Sequence, residues 1–370
     1  MNCFARRAGI FGLAALATLG FGDSLRIATW NTSLFDGTDT TQNAGIQSAL
    51  FSSFQGRSFR PDVLFAQEIQ SPTAANTFKN LLNTAAGSTG DWNVTFGSLT
   101  GTSSTSDTAM FYRTSKVGTV SANLVLAAGG TTANPRDAWR FDFSIVGNAV
   151  TTERFGVYNS HMKSGDSATD QNRRQIEAAA IRSNANGLAS NYQIVSLGDF
   201  NGQSSSQSFY QTLTGSAANN RGRFFDPIGT PGSWNGNNAF RFVHTQDPTG
   251  AGGMDDRHDQ ILMGAGLGDG VGTDYTGVWQ QAYSTTTWND LNHSYRVWGN
   301  DGTSFNSSLT VGGNAMVGST IAQALKDAAT PAGGHLPVFA DIRYDAVPEP
   351  ASMAVLGGLA LVALRRRKKN

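Results

Sequence analysis

Between residues 25 and 344 the chain alternates short apolar, β-rich runs with segments of helical period. The runs fall at 25–30, 63–66, 108–112, 141–146, 155–159, 193–197, 260–263 and 336–342. Some alternate apolar with polar residues, and others are solid, as expected of strands buried on both faces. Helices are expected at about 44–54, 74–85, 170–187, 204–213 and 320–329. In the longest, Ile176, Ala179, Ala180 and Ile181 form an apolar stripe, which leaves Arg173, Arg174, Glu177 and Arg182 on the polar face. Thr169 or Asp170 caps its start, and Gly187 ends it. Strands mixed with helices throughout indicate an α/β fold. The stretch 264–319, rich in Gly, Thr, Asn and Ser, reads as long loops with short strands. No linker, charge block or repeat interrupts the body, so residues 23–346 are expected to form one domain.

The two ends follow another pattern. Arg6 and Arg7 precede an apolar run at 10–21 and then small and polar residues, the order of a secretory signal peptide over residues 1–22. Candidate cuts follow Ala17 or Gly22. At the other end, Pro348-Glu349-Pro350 opens a short apolar run to Leu364, closed by Arg365, Arg366, Arg367, Lys368 and Lys369. Residues 347–370 thereby resemble the PEP-CTERM sorting tail of exported Gram-negative proteins. That resemblance implies recognition at the inner membrane and removal there. Both ends point to export, to the cell surface or beyond it, with export and sorting machinery as their partners.

Charge changes meaning once the ends are set apart. The whole chain is neutral, with 27 Lys and Arg against 27 Asp and Glu. Removing seven cations and one anion with the ends leaves 20 against 26, so the body stands near −6. Such a body does not hold nucleic acid by bulk charge. The single cysteine, Cys3, lies in the signal segment, which excludes disulfides, thiol catalysis and cysteine-based metal sites from the body.

Polar residues recur at the ends of the apolar runs. Asn31 ends RIATWN, Glu68 ends DVLFAQE, and His161 follows RFGVYNS; Asp199 and Asn201 close QIVSLGDFN, Asp259 opens DQILM, and His335 precedes LPVFADI. Strand ends are rigid places from which side chains can converge on one cleft. The ordered words ATWN, AQE, NSHMKSG, GDFN, RHDQILMG and GHLPVFAD resemble the endonuclease/exonuclease/phosphatase superfamily, nearest its deoxyribonuclease-I-like branch. The resemblance covers 25–344 and implies a four-layer sandwich, two mixed β-sheets flanked by helices. It also implies hydrolysis of phosphoesters with Mg²⁺, or with Mn²⁺ or Ca²⁺ in its place.

The residue chemistry agrees with that implication. Mg²⁺ takes oxygen ligands and keeps several waters, so the Glu68 carboxylate and the Asn31 amide oxygen suffice as protein ligands. Asp199 is suited to orient and deprotonate a water, and Asn201 to donate to a phosphate oxygen. Family matching gives His335 the carboxylate of Asp259. His161 is then the second acid or phosphate ligand, and Arg136 offers a fixed positive fork to the phosphate. Asp255, Asp256, His258 and His244 read as loop residues, Lys163 and Arg174 as surface charges, and Asn300-Asp301-Gly302 as a turn. One position departs from the family: Gly333-Gly334-His335 stands where Ser-Asp-His is usual, leaving the site one carboxylate short.

Three functions follow. The first is an exported endonuclease acting on extracellular nucleic acid. The second is a sphingomyelinase-like or other phosphoesterase of the same fold, docking through Trp279, Trp288 and Trp298. The third is a catalytically weakened surface-binding protein, supported by Gly334.

Overall fold

The computed structural model describes residues 23–97, 108–128, 136–250, 252–330 and 334–347. The signal-peptide segment and all but the first residue of the sorting tail lie outside the described residues. In chain order the strands begin with β1 (Asp23–Phe35), β2 (Ser53–Phe54), β3 (Arg57–Ser58), β4 (Val63–Ile69) and β5 (Trp92–Phe96). Next come β6 (Thr108–Arg113), β7 (Val117–Leu126), β8 (Ala138–Ile145), β9 (Arg154–His161) and β10 (Tyr192–Asp199). The last are β11 (Phe224–Phe225), β12 (Asp259–Gly264), β13 (Asp274–Tyr275), β14 (Arg296–Val297) and β15 (Val338–Tyr344). The helices are α1 (Thr40–Phe51), α2 (Pro72–Thr84), α3 (Ala168–Asn186), α4 (Ser208–Thr214) and α5 (Gly318–Ala328).

One sheet runs β13-β15-β1-β4-β6-β5, with β14 also on β15; the other runs β11-β12-β10-β9-β8-β7. Each sheet has one parallel pair, β1 with β4 and β9 with β10, and every other neighbour is antiparallel. A helix makes each parallel crossover, α1 in the first and α3 in the second. The sheets pack face to face, with Phe65 against Phe141 at 6.0 Å between ring centroids. Helices α1, α2 and α5 lie on the first sheet's side, α3 and α4 on the second's. This is the expected four-layer α/β sandwich.

A buried polar link joins the sheets. Gln67 Nε2 donates to Asn159 Oδ1 at 2.6 Å, and Asn159 Nδ2 donates to the carbonyls of Ala66 and Ala109. Both side chains are fully buried, so each donation replaces a lost bond to water.

The expected elements are present, with shifts that have local causes. Helix α1 starts earlier than expected because Asp39 accepts from the backbone N–H groups of Thr41 and Gln42. Ser71 caps α2, whose first residue is Pro72. Helix α4 is shorter because 204–207 is taken by a turn in which Ser206 N–H donates to Ser204 Oγ. Between β12 and α5 the chain is irregular, with only the two-residue strands β13 and β14 and one 3₁₀ turn at Ala265–Leu267 among the described residues.

Helix α3 overturns its predicted faces. Ile176 is exposed, whereas Arg173, Arg174, Glu177 and Arg182 are buried. The cause is hydrogen bonding. Arg174 donates to the carbonyls of Lys163 and Gly165, and Arg182 donates to those of Thr212, Leu213 and Gly215. Buried guanidinium groups thus close two loops that apolar side chains could not satisfy. The cap is Ser167, whose hydroxyl accepts from Asp170 N–H, not Thr169 or Asp170.

Candidate active site

The sheet registers place the predicted residues at one end of the sandwich. The parallel strands β1, β4, β9 and β10 end there, and the antiparallel β12 and β15 begin there. Asp199 pairs in register with His161 on one side and Asp259 on the other. The β1–β4 register is interrupted between Asn31 and Phe35, where Ser33 and Leu34 take positive φ. Glu68 and Asn201 do so as well, with φ of 64° and 49°. Four non-glycine residues in this costly conformation at one end mark a region shaped for something other than stability.

The side chains then converge. His335 Nδ1 donates to Asp259 Oδ2 at 2.6 Å, and its Nε2 lies 3.8 Å from Asp199 Oδ2. On the other side of Asp199, His161 Nε2 is 3.4 Å from Oδ2 and 3.7 Å from Glu68 Oε1. Asn31 Nδ2 donates to Asp199 Oδ2 at 3.0 Å and to Glu68 Oε1 at 3.2 Å, joining the two sheets. The Leu34 N–H holds the other Glu68 oxygen at 2.7 Å. Asn31, Glu68, His161, Asp199, Asp259 and His335 therefore share one cleft.

Charge distribution in the cleft is uneven. Burial alone would raise the Asp199 carboxyl, but the charges of His335, His161 and His258 and the Asn31 bond hold it well below the usual carboxylate range. Glu68 moves the other way. Burial raises it, helped by Asp199, and the opposing pull of His335, Asn31 and Leu34 is smaller. Burial disfavours a charged His335, yet the facing carboxylates of Asp259 and Asp199 push it up to about 10.

Several assignments change with the geometry. Asn31 meets the carboxylates through its amide N–H₂, because its oxygen already accepts from Ser33 N–H at 3.1 Å. Arg136, expected to offer its fork to the phosphate, stands within electrostatic reach of Asp199 and Glu68 and is anchored from within the fold. Its Nη1 donates to the carbonyls of His161 and Met162, and its backbone N–H donates to Glu177. Asn201 Nδ2 also donates to Met162 O, so both residues brace the chain after His161. Arg174 is fully buried, contrary to a surface charge, while Lys163 is partly exposed beside Asp170. Asn300-Asp301-Gly302 is a turn, with Asp301 accepting from Thr303 and Ala315. The tryptophans do not form a docking loop. Trp298 is in the core, Trp279 packs on Phe225 and Tyr275, and Trp288 lies beneath Arg57.

Two residues were missed. The His258 ring stands 6.3 Å from that of His335 and beside Asp256, in the cleft and not apart from it. Glu177 is buried behind Arg136, and burial raises its carboxyl to about 8. Its rarity was a usable signal, since Glu177 is one of four glutamates in the chain. For His258 the signal was its place directly before Asp259, a predicted site residue.

The chemistry of the cleft fits a hard divalent cation. Among the described residues no group of three His, Cys, Asp or Glu side chains is arranged to hold a metal. A cation here would rest on Glu68 and waters, with Asn31 contributing its oxygen only if the amide turned. The raised Glu68 carboxyl, crowded by Asp199, is the group whose ionisation such a cation would favour.

Gly334 has a steric explanation. A Cβ built there would lie 2.4 Å from Ala329 Cβ and 2.5 Å from Ser33 Oγ. The position has no room for a carboxylate side chain, so Gly334→Asp does not restore a missing ligand. Gly334→Ala is expected to destabilise the protein by about 1–3 kcal/mol, through overpacking. Urea unfolding checks this, and unchanged stability would show that the Ala329 contact yields freely.

No protein-family model and no curated protein sequence matches the chain. Solved structures do. An endonuclease/exonuclease/phosphatase from Bacteroides vulgatus superposes with a TM-score of 0.50 at 12% identity, over 86% of this chain and 98% of that one. The human Nocturnin catalytic domain gives 0.49 at 13%, covering 86% and 94%. A mannosyl-6-phosphatase of Bacteroides thetaiotaomicron gives 0.48 at 13%, covering 86% and 99%. These are likenesses of fold, and the first identifies it as the sandwich of endonuclease/exonuclease/phosphatase proteins.

Proposed function

We propose that the protein is an exported, divalent-metal-dependent phosphodiesterase, acting as an endonuclease on extracellular nucleic acid. The observation that carries the reading is Asp199, buried between His161 and His335, with Asp259 behind His335. A cation at Glu68 would supply Lewis-acid polarisation of a phosphate oxygen. The remaining chemistry belongs to the chain. Asp199 orients a water and takes its proton as the water oxygen bonds to phosphorus in line. His335, kept charged by Asp259, donates to the oxygen that leaves as the ester bond breaks. His161 steadies a phosphoryl oxygen, with the Arg136 brace fixing its backbone. Local cations thereby do what the acidic body does not.

The test is a hydrolysis screen of the purified body on plasmid DNA, RNA, sphingomyelin and phosphomonoesters, with Mg²⁺, Mn²⁺, Ca²⁺ or EDTA. Nucleic acid is expected to be cleaved with metal, and Glu68→Ala and His335→Ala to lower the rate by about 10²-fold or more. Variants as fast as wild type would sink the mechanism. Preferential cleavage of sphingomyelin would move the substrate to lipid, and no hydrolysis at all would leave a binding protein.

A further inference from the structure

A second cleft, of about 350 Å³, lies away from the catalytic end. Its wall includes Arg26, five residues before Asn31 on β1 and so about 16 Å down the strand. The β2–β3 hairpin and the segment 288–298 supply Arg57, Trp288, Asn289 and Arg296, and Met316, Phe339 and Asp341 complete the wall. Arg26 is committed to a two-point ion pair with Asp341, at 2.7 and 3.0 Å. The other two arginines have no carboxylate partner among the described residues. Arg57 donates to the carbonyls of Met316 and Ala315 and to Gln55, and Arg296 to the carbonyls of Asp290, His293 and Tyr295.

These bonds leave donors unused. Arg57 Nη1, the Trp288 indole N–H and the Asn289 side-chain amide have no hydrogen-bond partner among the described residues, while Arg296 also reaches the Tyr283 hydroxyl. Planar groups are already layered here. Arg57 lies 5.1 Å over Trp288 and 5.5 Å over Phe54, and Arg26 lies 4.2 Å over Phe339. The lip is open, since a Cβ at Gly56 would meet nothing within 4 Å.

Two guanidinium groups without counter-charges favour an anion, and the aromatic layers favour a flat ring beside it. The volume falls in the range of small-molecule sites and is too small for a duplex. We propose that this cleft binds a nucleoside phosphate, its phosphate on Arg57 and Arg296 and its base against Trp288. The ligand is either a free nucleotide or the phosphorylated end of a single strand.

The test titrates the full protein with AMP, adenosine, inorganic phosphate and a 5′-phosphorylated single strand, in EDTA, by calorimetry and tryptophan fluorescence. AMP is expected to bind saturably, with adenosine and phosphate each weaker by about tenfold or more. Trp288→Phe should weaken AMP about tenfold and remove its fluorescence change, while phosphoester hydrolysis stays within about twofold. Arg57→Met should weaken AMP similarly, and Trp288→Phe alone decides the matter if that variant does not fold. Glu68→Ala should leave AMP binding unchanged, which separates this site from the catalytic cleft. A strand as tight as AMP assigns the site to strand ends; a weaker strand assigns it to free nucleotide. The proposal is overturned if no saturable binding occurs up to millimolar AMP. It is overturned equally if Glu68→Ala abolishes binding that Trp288→Phe retains.

Discussion

On the proposed function, Asp259→Asn is expected to lower kcat for phosphodiester hydrolysis by about 10³-fold, within the range that acid–base groups and their orienting carboxylates supply. The substitution keeps the shape of the side chain and removes its charge. His335 then loses the carboxylate that accepts its Nδ1 proton at 2.6 Å and the largest of the three charges that keep it ionised. Its pKa falls from about 10 toward the ordinary value near 6.5, which NMR titration of the imidazole measures directly. The stability consequence has a definite sign. A group raised on folding stabilises fully below its unfolded pKa, and that contribution fades as pH climbs through the folded one. The melting-temperature gap between wild type and Asp259→Asn is therefore widest below about pH 6.5 and closes as pH rises through about 10. An unshifted imidazole pKa, or a kcat within tenfold of wild type, would falsify the assignment of His335 as the charged acid.

Asp226→Ala is the largest expected loss of stability, about 3–5 kcal/mol. Arg257 is wholly buried and grips both Asp226 oxygens, at 2.7 and 3.0 Å. Thr230 adds two more bonds to the same carboxylate. Trp234 and Tyr295 flank the guanidinium at 5.4 and 5.9 Å. Removing the carboxylate leaves a buried cation with no counter-charge, a much worse state than having neither partner. Urea unfolding should show the midpoint falling accordingly, and replacing both residues with apolar ones should recover much of the loss. The Asp226 carboxyl is lowered on folding by Arg257 despite its burial, so the pair stabilises above about pH 4 and its contribution is lost in stronger acid. A loss below about 1 kcal/mol at neutral pH would mean that water reaches the site and solvates Arg257.

How much of this was legible in the chain depended on which physical signal each feature leaves. The eight main strands were readable because their apolar runs are short and bounded. The cleft was readable because Asn31, Glu68, His161, Asp199, Asp259 and His335 all flank such runs. Strand β7 was not, since much of it is only half-buried or exposed and its pairing with β8 slips at two places. Helix α3 misled because polarity was read as exposure. Its arginines are inside for the carbonyls they reach, and a one-dimensional pattern does not show those carbonyls. The same limit hid the Arg136 brace and the His258 ring. Gly334 looked like a lost ligand because composition shows which atom is missing and not the neighbour occupying its place.

Asn31 and Glu68 stand on one sheet, while His161, Asp199 and Asp259 stand on the other, and the Asn31 amide spans the gap. Neither sheet carries a half-active version of the site. A chain with both sheets formed but not yet docked would hold the two halves of the cleft apart, so docking of the sheets is the step that completes the site.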